Sequence, residues 1–504
     1  MVVVTSQEMR ELEKCAIEKF EMTEEILMER AGISTVQAIW NEYGSLSEKN
    51  FVVICGPGNN GGDGYVIARD ILNYTEAVRV ITLGEPKTEV SKINRNRFLK
   101  HGGIIYKYEE LGLEKTIEMI SSADIVIDAI FGTGLKREIT DESIANLIEA
   151  INIYSNCVVS VDIPSGIDTD TGEILGSAVQ ATMTVTFGFP KPGHLLFPGR
   201  DLIGKLKIAK IGIPSQTFLS ESFKRFLITG ENLKKPLRPR WAHKKSFGEV
   251  IIIGGSKQYI GAPVLSALAA QKTGAGMVKI IGPSEVCDIA LSYDPSLICY
   301  RMDSVSKDFV SSVVKNCSEN SVIVVGPGWG QDNFDEKINI LSFIITEIQN
   351  PVIIDADALN ILSSNIDILK QKEITKSILL TPHPGEFSRI TKLSTKEVKG
   401  NYTLAERFSE EYQVITVLKD ATTIVTDGNT TFFNISGNTS LAKAGSGDIL
   451  SGIIGSLISQ HLDPLEAVKT SVYIFGIAGE MIQAEGFNSS YDVISKLPEA
   501  FSKI

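Results

Sequence analysis

The stretch FVVICGPGNNGGDG, residues 51–64, runs five apolar residues into a segment of five glycines, two asparagines and an aspartate. A short apolar, β-branched run ended by glycine reads as a buried parallel strand. The segment behind it reads as a loop, with the helix beginning beyond it. Its glycines allow positive backbone torsions and close approach of ligand atoms, and free N–H groups at the helix start face an anion. The spacing is not G-x-G-x-x-G, and no Lys-Ser/Thr follows. An ordinary dinucleotide fingerprint and a Walker ATPase are therefore both disfavoured.

The same grammar extends both ways. Thr5 and Glu8 form a capping box, and Met9, Leu12, Ala16, Ile17 and Phe20 recur at helical spacing. A second helix spans roughly 23–40. Downstream, VRVIT (78–82), DIVIDAI (124–130), CVVSVDIP (157–164) and MTVTFG (183–188) alternate with helical segments. Such alternation predicts an α/β domain of Rossmann-like, three-layer type. The rhythm breaks between 212 and 246, at Pro214, Pro236, Pro239 and the basic run KKPLRPRWAHKK. That run reads either as a solvated linker or as a phosphate-facing strip. The expected domains are 1–225 and 226–504. The second restarts the pattern: EVIIIGGS (249–256), SVIVVGPGWG (321–330), PVIIDADALN (351–360), SILLTPHPGEF (377–387) and VITVLKDATTIV (414–425). Pro263 suits the first turn of a helix and Gly274 its end.

Composition sets the outer limits. A chain of 504 residues exceeds one core and fits about two to four domains. With 43% apolar and 22% charged residues it is an ordinary globular chain. Its 61 acidic and 49 basic side chains, net charge −12, argue against nucleic-acid or membrane-surface partners. No run approaches the ~20 apolar residues of a membrane helix. The N-terminus lacks a secretory pattern. Six cysteines without a CxxC pair and five scattered histidines point to reduced thiols, a cytoplasmic location and no zinc site.

Chemistry-bearing residues gather at strand ends in the first domain. Asp128 ends one strand and leads into FGTGLKRE (131–138); Asp162 ends another and leads into SGIDTDTG (165–172). Ligands of open α/β sheets bind at the carboxyl ends of strands. Asn60, Asp128 and Ser165 can meet there around a hard cation, leaving Asp162 as acid or base. Lys191 in FGFPKPGHLLFPG (187–199) adds a cation. Taken singly, such aspartates also serve as turn or helix caps.

These residues carry a resemblance. NNGGDG, D-x-x-F-G-T-G and D-x-P-S-G stand intact and in order, and residues 1–215 resemble the NAD(P)H-hydrate epimerase domain. The resemblance implies K+ at Asn60, Asp128 and Ser165. It implies hydrate binding by Asn59, Asn60, Gly61, Gly62 and Asp63, by Gly132, Thr133, Gly134, Leu135, Lys136, Arg137 and Glu138, and by Asp162.

In the second half, AGSGD (444–448) precedes an apolar helix face of Ile449, Leu450, Ile453, Ile454, Leu457 and Ile458. N–H groups of residues 445–448 suit an anion hole, and Asp448 can take a proton from an attacking hydroxyl. A glycine turn with a capping aspartate is the plainer reading. The motif is similar to that of ribokinase-like kinases. Together with GGSKQYIGAP (254–263), GPGWG, DADALN and TPHPGE, it makes residues 240–500 resemble ADP-dependent NAD(P)H-hydrate dehydratase. Hydrate contacts are then implied at Ala262, Gly328, His383 and Asp448. Nucleotide contacts are implied at Lys419, Asp420, Ala421, Thr422, Thr423, Ser446 and Gly447. The family's Lys-Gly is Lys419-Asp420 here.

The two resemblances imply one activity, repair of hydrated nicotinamide cofactors. The first domain epimerises the R and S hydrates through Asp162 and Lys191. The second dehydrates the S form with ADP and Mg2+, giving AMP and phosphate, with Asp448 as base. A homo-oligomer is also implied. The rival readings are a small-molecule kinase and a non-catalytic nucleotide-binding module.

Overall fold

Along the first strand the side chains alternate between two cores. Phe51, Val53 and Cys55 pack with Leu12, Ile67 and Ile71, while Val52 and Ile54 pack with Ile120, Leu147 and Ile151. Every residue of that strand is buried. Burial on both faces is why the run reads as continuously apolar, and each such side chain contributes about 1.5–3 kcal/mol. The computed structural model describes residues 1–219, 223–373, 376–483 and 488–504.

The chain forms two compact units, Val2–Phe223 and Lys224–Ile504. In the first, β1 (Phe51–Cys55), β2 (Val78–Thr82), β3 (Ile104–Lys107), β4 (Ile125–Ala129), β5 (Val158–Val161), β6 (Met183–Phe187) and β7 (Lys205–Ala209) form one sheet. Its order is β3-β2-β1-β4-β5-β6-β7, all parallel. The capping box forms: Thr5 Oγ1 accepts the Glu8 N–H at 3.2 Å, and Glu8 Oε2 accepts the Thr5 N–H at 2.6 Å. The unit is the three-layer α/β domain the sequence predicts.

The second unit is also α/β. Its strands are β8 (Arg225–Leu227), β9 (Glu249–Ile253), β10 (Met277–Gly282), β11 (Ile298–Arg301), β12 (Ser321–Val325), β13 (Val352–Ile354), β14 (Ile378–Leu380), β15 (Ile415–Leu418), β16 (Thr423–Thr426) and β17 (Thr431–Asn434). The order is β11-β10-β9-β12-β13-β14-β15-β16-β17-β8. β15, β16 and β17 pair antiparallel and the other pairs are parallel. Val250 and Ile252 share a core with Leu268, Ile449 and Ile453 from the helices Gly261–Lys272 and Ser446–Ser459.

Three expectations change. Arg225, expected in the first domain, pairs with Thr431 in the second sheet, so the first unit ends at Phe223. The run 414–425 is a hairpin rather than a strand and a loop: β15 and β16 pair antiparallel across residues 419–422. The basic run is partly tied down: Arg238 donates to Gly274 O at 2.9 Å and lies 3.9 Å over the Phe247 ring. No described helix is long and apolar enough to cross a membrane.

Candidate active sites

Strand order reverses between β1 and β4, and again between β9 and β12. A crevice opens at such points. At the first, the Gly56 N–H donates to Ala129 O at 3.0 Å, and a Cβ on Gly56 would lie 1.9 Å from Ile130 O. The helix begins at Asn59, earlier than the loop reading of 56–64 allows. None of the five glycines in that stretch has a positive φ. Gly56, Gly61, Gly62 and Gly64 are required for close approach instead. A Cβ would meet Gly56 O at 1.9 Å from Gly61, and Cys55 Sγ at 2.7 Å from Gly64.

That approach carries Asn60 into the crevice. Its side chain is buried, its Nδ2 has no hydrogen-bond partner, and its Oδ1 lies 2.9 Å from where a Cβ on Gly132 would be. Asp128 is fully buried at the end of β4. It accepts Ser165 Oγ at 2.5 Å, the Ser165 N–H at 2.9 Å, Ser160 Oγ at 2.8 Å and the Ile130 N–H at 3.3 Å. Burial raises its pKa, and these neutral donors oppose the rise. Asp128 and Ser165 are thus joined directly, while Asn60 lies against Gly132 in the loop that follows Phe131, whose N–H Ser165 Oγ accepts at 2.8 Å. Among the described residues no group of three His, Cys, Asp or Glu side chains is placed to hold a metal ion.

Asp162 follows β5 with a φ of 64°. Its Oδ1 accepts Lys191 Nζ at 2.7 Å and Thr186 Oγ1 at 2.9 Å. Burial opposes its ionisation, but the Lys191 ammonium prevails and holds the carboxyl below its usual range. Lys191 is wholly buried and also donates to Phe187 O at 3.1 Å. His194 Nδ1 accepts the Lys191 N–H at 3.0 Å, so its Nε2–H donates to Asp162 O at 2.8 Å. Burial and the Lys191 charge lower the His194 pKa to about 4, which keeps that ring neutral. Asp63 faces the same centre. Burial, then the charges of Asp162 and Glu13, push its carboxyl well above the usual range.

Two expected contacts are otherwise engaged. Asn59 Oδ1 accepts Thr88 Oγ1 at 2.6 Å, and Lys136 Nζ donates to Asp170 Oδ2 at 2.7 Å. Arg137 and Glu138 are exposed, and Leu135 N–H closes a turn on Gly132 O at 3.2 Å. Glu13 is the residue the sequence reading misses. Burial and then the Asp162 charge raise its pKa to about 7. It falls on the stripe of Met9, Leu12 and Ala16, and an acid on that stripe was the available signal.

The second unit repeats the crevice. The Gly326 N–H donates to Ile253 O at 3.0 Å, and a Cβ on Gly254 would lie 2.3 Å from Pro327 O. Gly328, φ 60°, leaves room for Tyr259 O at 2.5 Å and Ala262 Cβ at 3.0 Å from its missing Cβ. So Ala262 and Gly328 meet. A cavity of about 820 Å3 adjoins them, bordered by Tyr259, Trp329 and Asp357.

AGSGD is tied to the helix that carries Ala262, where Ser266 Oγ donates to Asp448 O at 2.7 Å. The helix starts at Ser446, inside the motif. Gly445 has a φ of 92°, and a Cβ there would meet Leu265 Cδ1 at 2.5 Å. The Ser446 N–H donates to Lys443 O at 3.3 Å, which removes it from the expected anion hole. Ser446 Oγ is buried without a partner. A Cβ on Gly447 would lie 3.1 Å from Lys419 Nζ, so any side chain would crowd the ammonium. Lys419 Nζ in turn lies 2.8 Å from Asp355 Oδ1, and Ser451 Oγ bonds the other oxygen of Asp355. Burial and the charge of Asp355 raise the Asp448 pKa to about 7, against the pull of Lys419.

His383 caps the helix Pro384–Thr391, its Nδ1 accepting the Gly385 N–H at 2.9 Å. Burial and the Lys419 charge lower its pKa. Glu386 accepts the His383 N–H at 2.8 Å, and burial raises its pKa to about 7. Asp420 turns toward its own loop beside the exposed Ala421, the buried Thr422 and the half-buried Thr423.

A family model described as NAD(P)H-hydrate dehydratase matches residues 250–498, and one described as YjeF-related protein N-terminus matches residues 24–193. The bifunctional NAD(P)H-hydrate repair enzyme of Moorella thermoacetica is 34% identical, over 95% of this chain and 92% of that protein. The chain belongs to the bifunctional NAD(P)H-hydrate repair enzyme family. Within that family the enzyme of Escherichia coli (strain K12) is also 34% identical, over 91% of this chain and 85% of its own. An ADP/ATP-dependent NAD(P)H-hydrate dehydratase from Bacillus subtilis, crystallised with ATP/Mg2+, is 27% identical. It covers 55% of this chain and 98% of that one, with a TM-score of 0.48.

Proposed function

We propose that this member of the repair family restores hydrated NADH and NADPH in two steps, one in each unit. The first unit interconverts the R and S hydrates at ring carbon C6. Asp162, held ionised by Lys191, takes the C6 hydroxyl proton as the C6–N1 bond opens to an aldehyde, and a protonated Glu13 or Asp63 gives a proton to N1. Reclosure of N1 on the other face of the carbonyl, with both protons returned, inverts C6. The hydrate lies against the segments that Gly56, Gly61 and Gly132 bring together.

The donor set of Asn60, Asp128 and Ser165 fits a monovalent hard cation. It holds one buried carboxylate and the neutral oxygens of Ser165 Oγ and Asn60 Oδ1. A K+ bound there supplies a fixed positive charge beside the hydrate.

In the second unit ADP arrives with Mg2+ as its complex and lies along residues 419–423 and at Gly447. Asp448 removes the C6 hydroxyl proton. That oxygen attacks the terminal phosphoryl group of ADP and AMP leaves. The ring nitrogen lone pair then expels phosphate, and loss of the C5 proton restores the double bond. The observation that carries this reading is the half-buried Asp448, its pKa raised by desolvation and the Asp355 charge, at the helix start beside Gly447, which Lys419 Nζ approaches. A base poised near neutrality is suited to the task. The six thiols are all free and fit a reducing cytoplasm. A homo-oligomer draws its support from the exposed Leu237 and Trp241.

The test is direct. The purified chain consumes ADP only when hydrate is present, and NADH absorbance returns. A stable phosphoester in place of AMP, phosphate and NADH overturns the reading in favour of a kinase.

A further inference from the structure

The turn at 168–172 meets three parts of the first crevice. Its Thr169 O accepts the Gly193 N–H at 2.7 Å, in the segment that carries Lys191 and His194. Asp168 Oδ1 holds the turn together by accepting the Asp170 and Thr171 N–H groups, each at 2.9 Å. The Asp170 carboxylate then serves two other segments. Its Oδ1 accepts the Ser6 N–H at 2.6 Å, and its Oδ2 accepts Ser6 Oγ at 2.6 Å and Lys136 Nζ at 2.7 Å. Asp168 Oδ2 adds a longer approach to Lys136, at 3.7 Å. Burial opposes ionisation of Asp170, but the Lys136 and Ser6 donors prevail and hold its carboxyl below the usual range.

Each partner belongs to a segment of the site. Ser6 is the first residue of the helix Ser6–Phe20, and an anion at a helix start is favoured. Glu13 lies two turns on along the same helix face, about 10 Å from it. Lys136 stands in the exposed tip of the loop 131–138. The near end of that loop is fixed by the Phe131 N–H, which Ser165 Oγ accepts at 2.8 Å. At Gly134 a Cβ would meet nothing within 4 Å. The Lys136 tie therefore holds a tip that stands clear of its neighbours.

We infer that Asp170 is a positioning residue of the first unit's site, joining the helix of Glu13 to the loop 131–138 so that both close on Asp162 and Lys191 together. The inference rests on the repair reading. Glu13 feels the charges of Asp162, Lys191, Arg10 and Glu24, and it acts on Asp63 in turn. Burial and then the Asp162 charge dominate and raise its pKa. A helix released from Asp170 loses part of both, and Glu13 gives up its proton at lower pH. A loop released from Asp170 holds the hydrate less tightly.

The experiment follows epimerisation of purified NADH hydrate by the full chain without ADP, with kcat and KM read across the neutral pH range. Asp170→Asn raises KM by about three- to tenfold. It also moves the falling limb of the rate from about pH 7 toward the ordinary carboxylate range. Ser6→Pro, at a helix position that suits proline, removes both Ser6 donors and moves the limb alone. Lys136→Met raises KM alone, and adding it to Asp170→Asn raises KM no further. A merely structural role lowers the folded fraction and moves neither KM nor the limb. A folded Asp170→Asn variant with both unmoved overturns the inference. So does a Lys136→Met effect on KM that adds in full to that of Asp170→Asn, which makes Lys136 a direct ligand. Where Asp170→Asn does not fold, the split between Ser6→Pro and Lys136→Met decides: the inference falls if either variant leaves its own readout unmoved. Absence of epimerisation by the unaltered chain overturns the repair reading of this unit itself.

Discussion

Lys419 Nζ and Asp355 Oδ1 stand 2.8 Å apart, and the carboxylate is almost wholly buried. Removing the cation strands a charge that water cannot reach. Lys419→Met lowers the stability of the second unit by about 3–5 kcal/mol, read by denaturant unfolding. Adding Asp355→Asn to it restores part of that loss, because the stranded charge is gone.

Asp448 works as a base only when ionised, and its pKa is about 7. Dehydration therefore rises with pH through about 7 and levels off above it. Asp448→Asn removes this limb and lowers kcat by about 10²–10⁴, with epimerisation intact. A pH–rate profile of NADH recovery checks both outcomes. Near-normal dehydration by the variant rejects Asp448 as the base.

Epimerisation has the opposite slope. Asp162 stays ionised through the neutral range, while Glu13 holds its proton until about pH 7. As the proton source, Glu13 gives a rate that falls above that pH. Glu13→Gln abolishes the falling limb, and Asp162→Asn leaves the R hydrate unrepaired while the S hydrate is still consumed. His194, with a pKa of about 4, contributes no step between pH 5 and 8. Chiral separation of the hydrates over time reads each outcome.

Gly61→Ala drives a Cβ to 1.9 Å from Gly56 O and lowers the stability of the first unit by about 1–3 kcal/mol. Gly58→Ala meets nothing within 4 Å, and its cost stays below about 1 kcal/mol. Thermal melts of the two variants show whether close approach is what requires glycine at 61.

The central strands were legible because both their faces are buried, as at Phe51–Cys55 and Ser321–Val325. The missed strands break that rule. β3 and β11 expose their ends, and β10 carries Lys279, which is neutralised by Glu249 at 3.0 Å from the neighbouring strand. Motif residues such as Asp128, Asp162 and Asp448 were legible because strand and helix ends collect chemistry; Asp355 was seen only as part of DADALN. Glu13 was not, since only the packing of its helix brings it to Asp162, some 150 residues on. The purpose of the glycines in 56–64 was misread for a related reason: sequence reports the missing side chain, not the neighbour that forbids one.

Those glycines lie in ordinary right-handed or extended backbone, with the first turns of a regular helix beginning at Asn59. Nothing in that segment has to fold when a ligand arrives. Its ordering entropy was settled when the protein folded, so a ligand that binds there does not have to supply it.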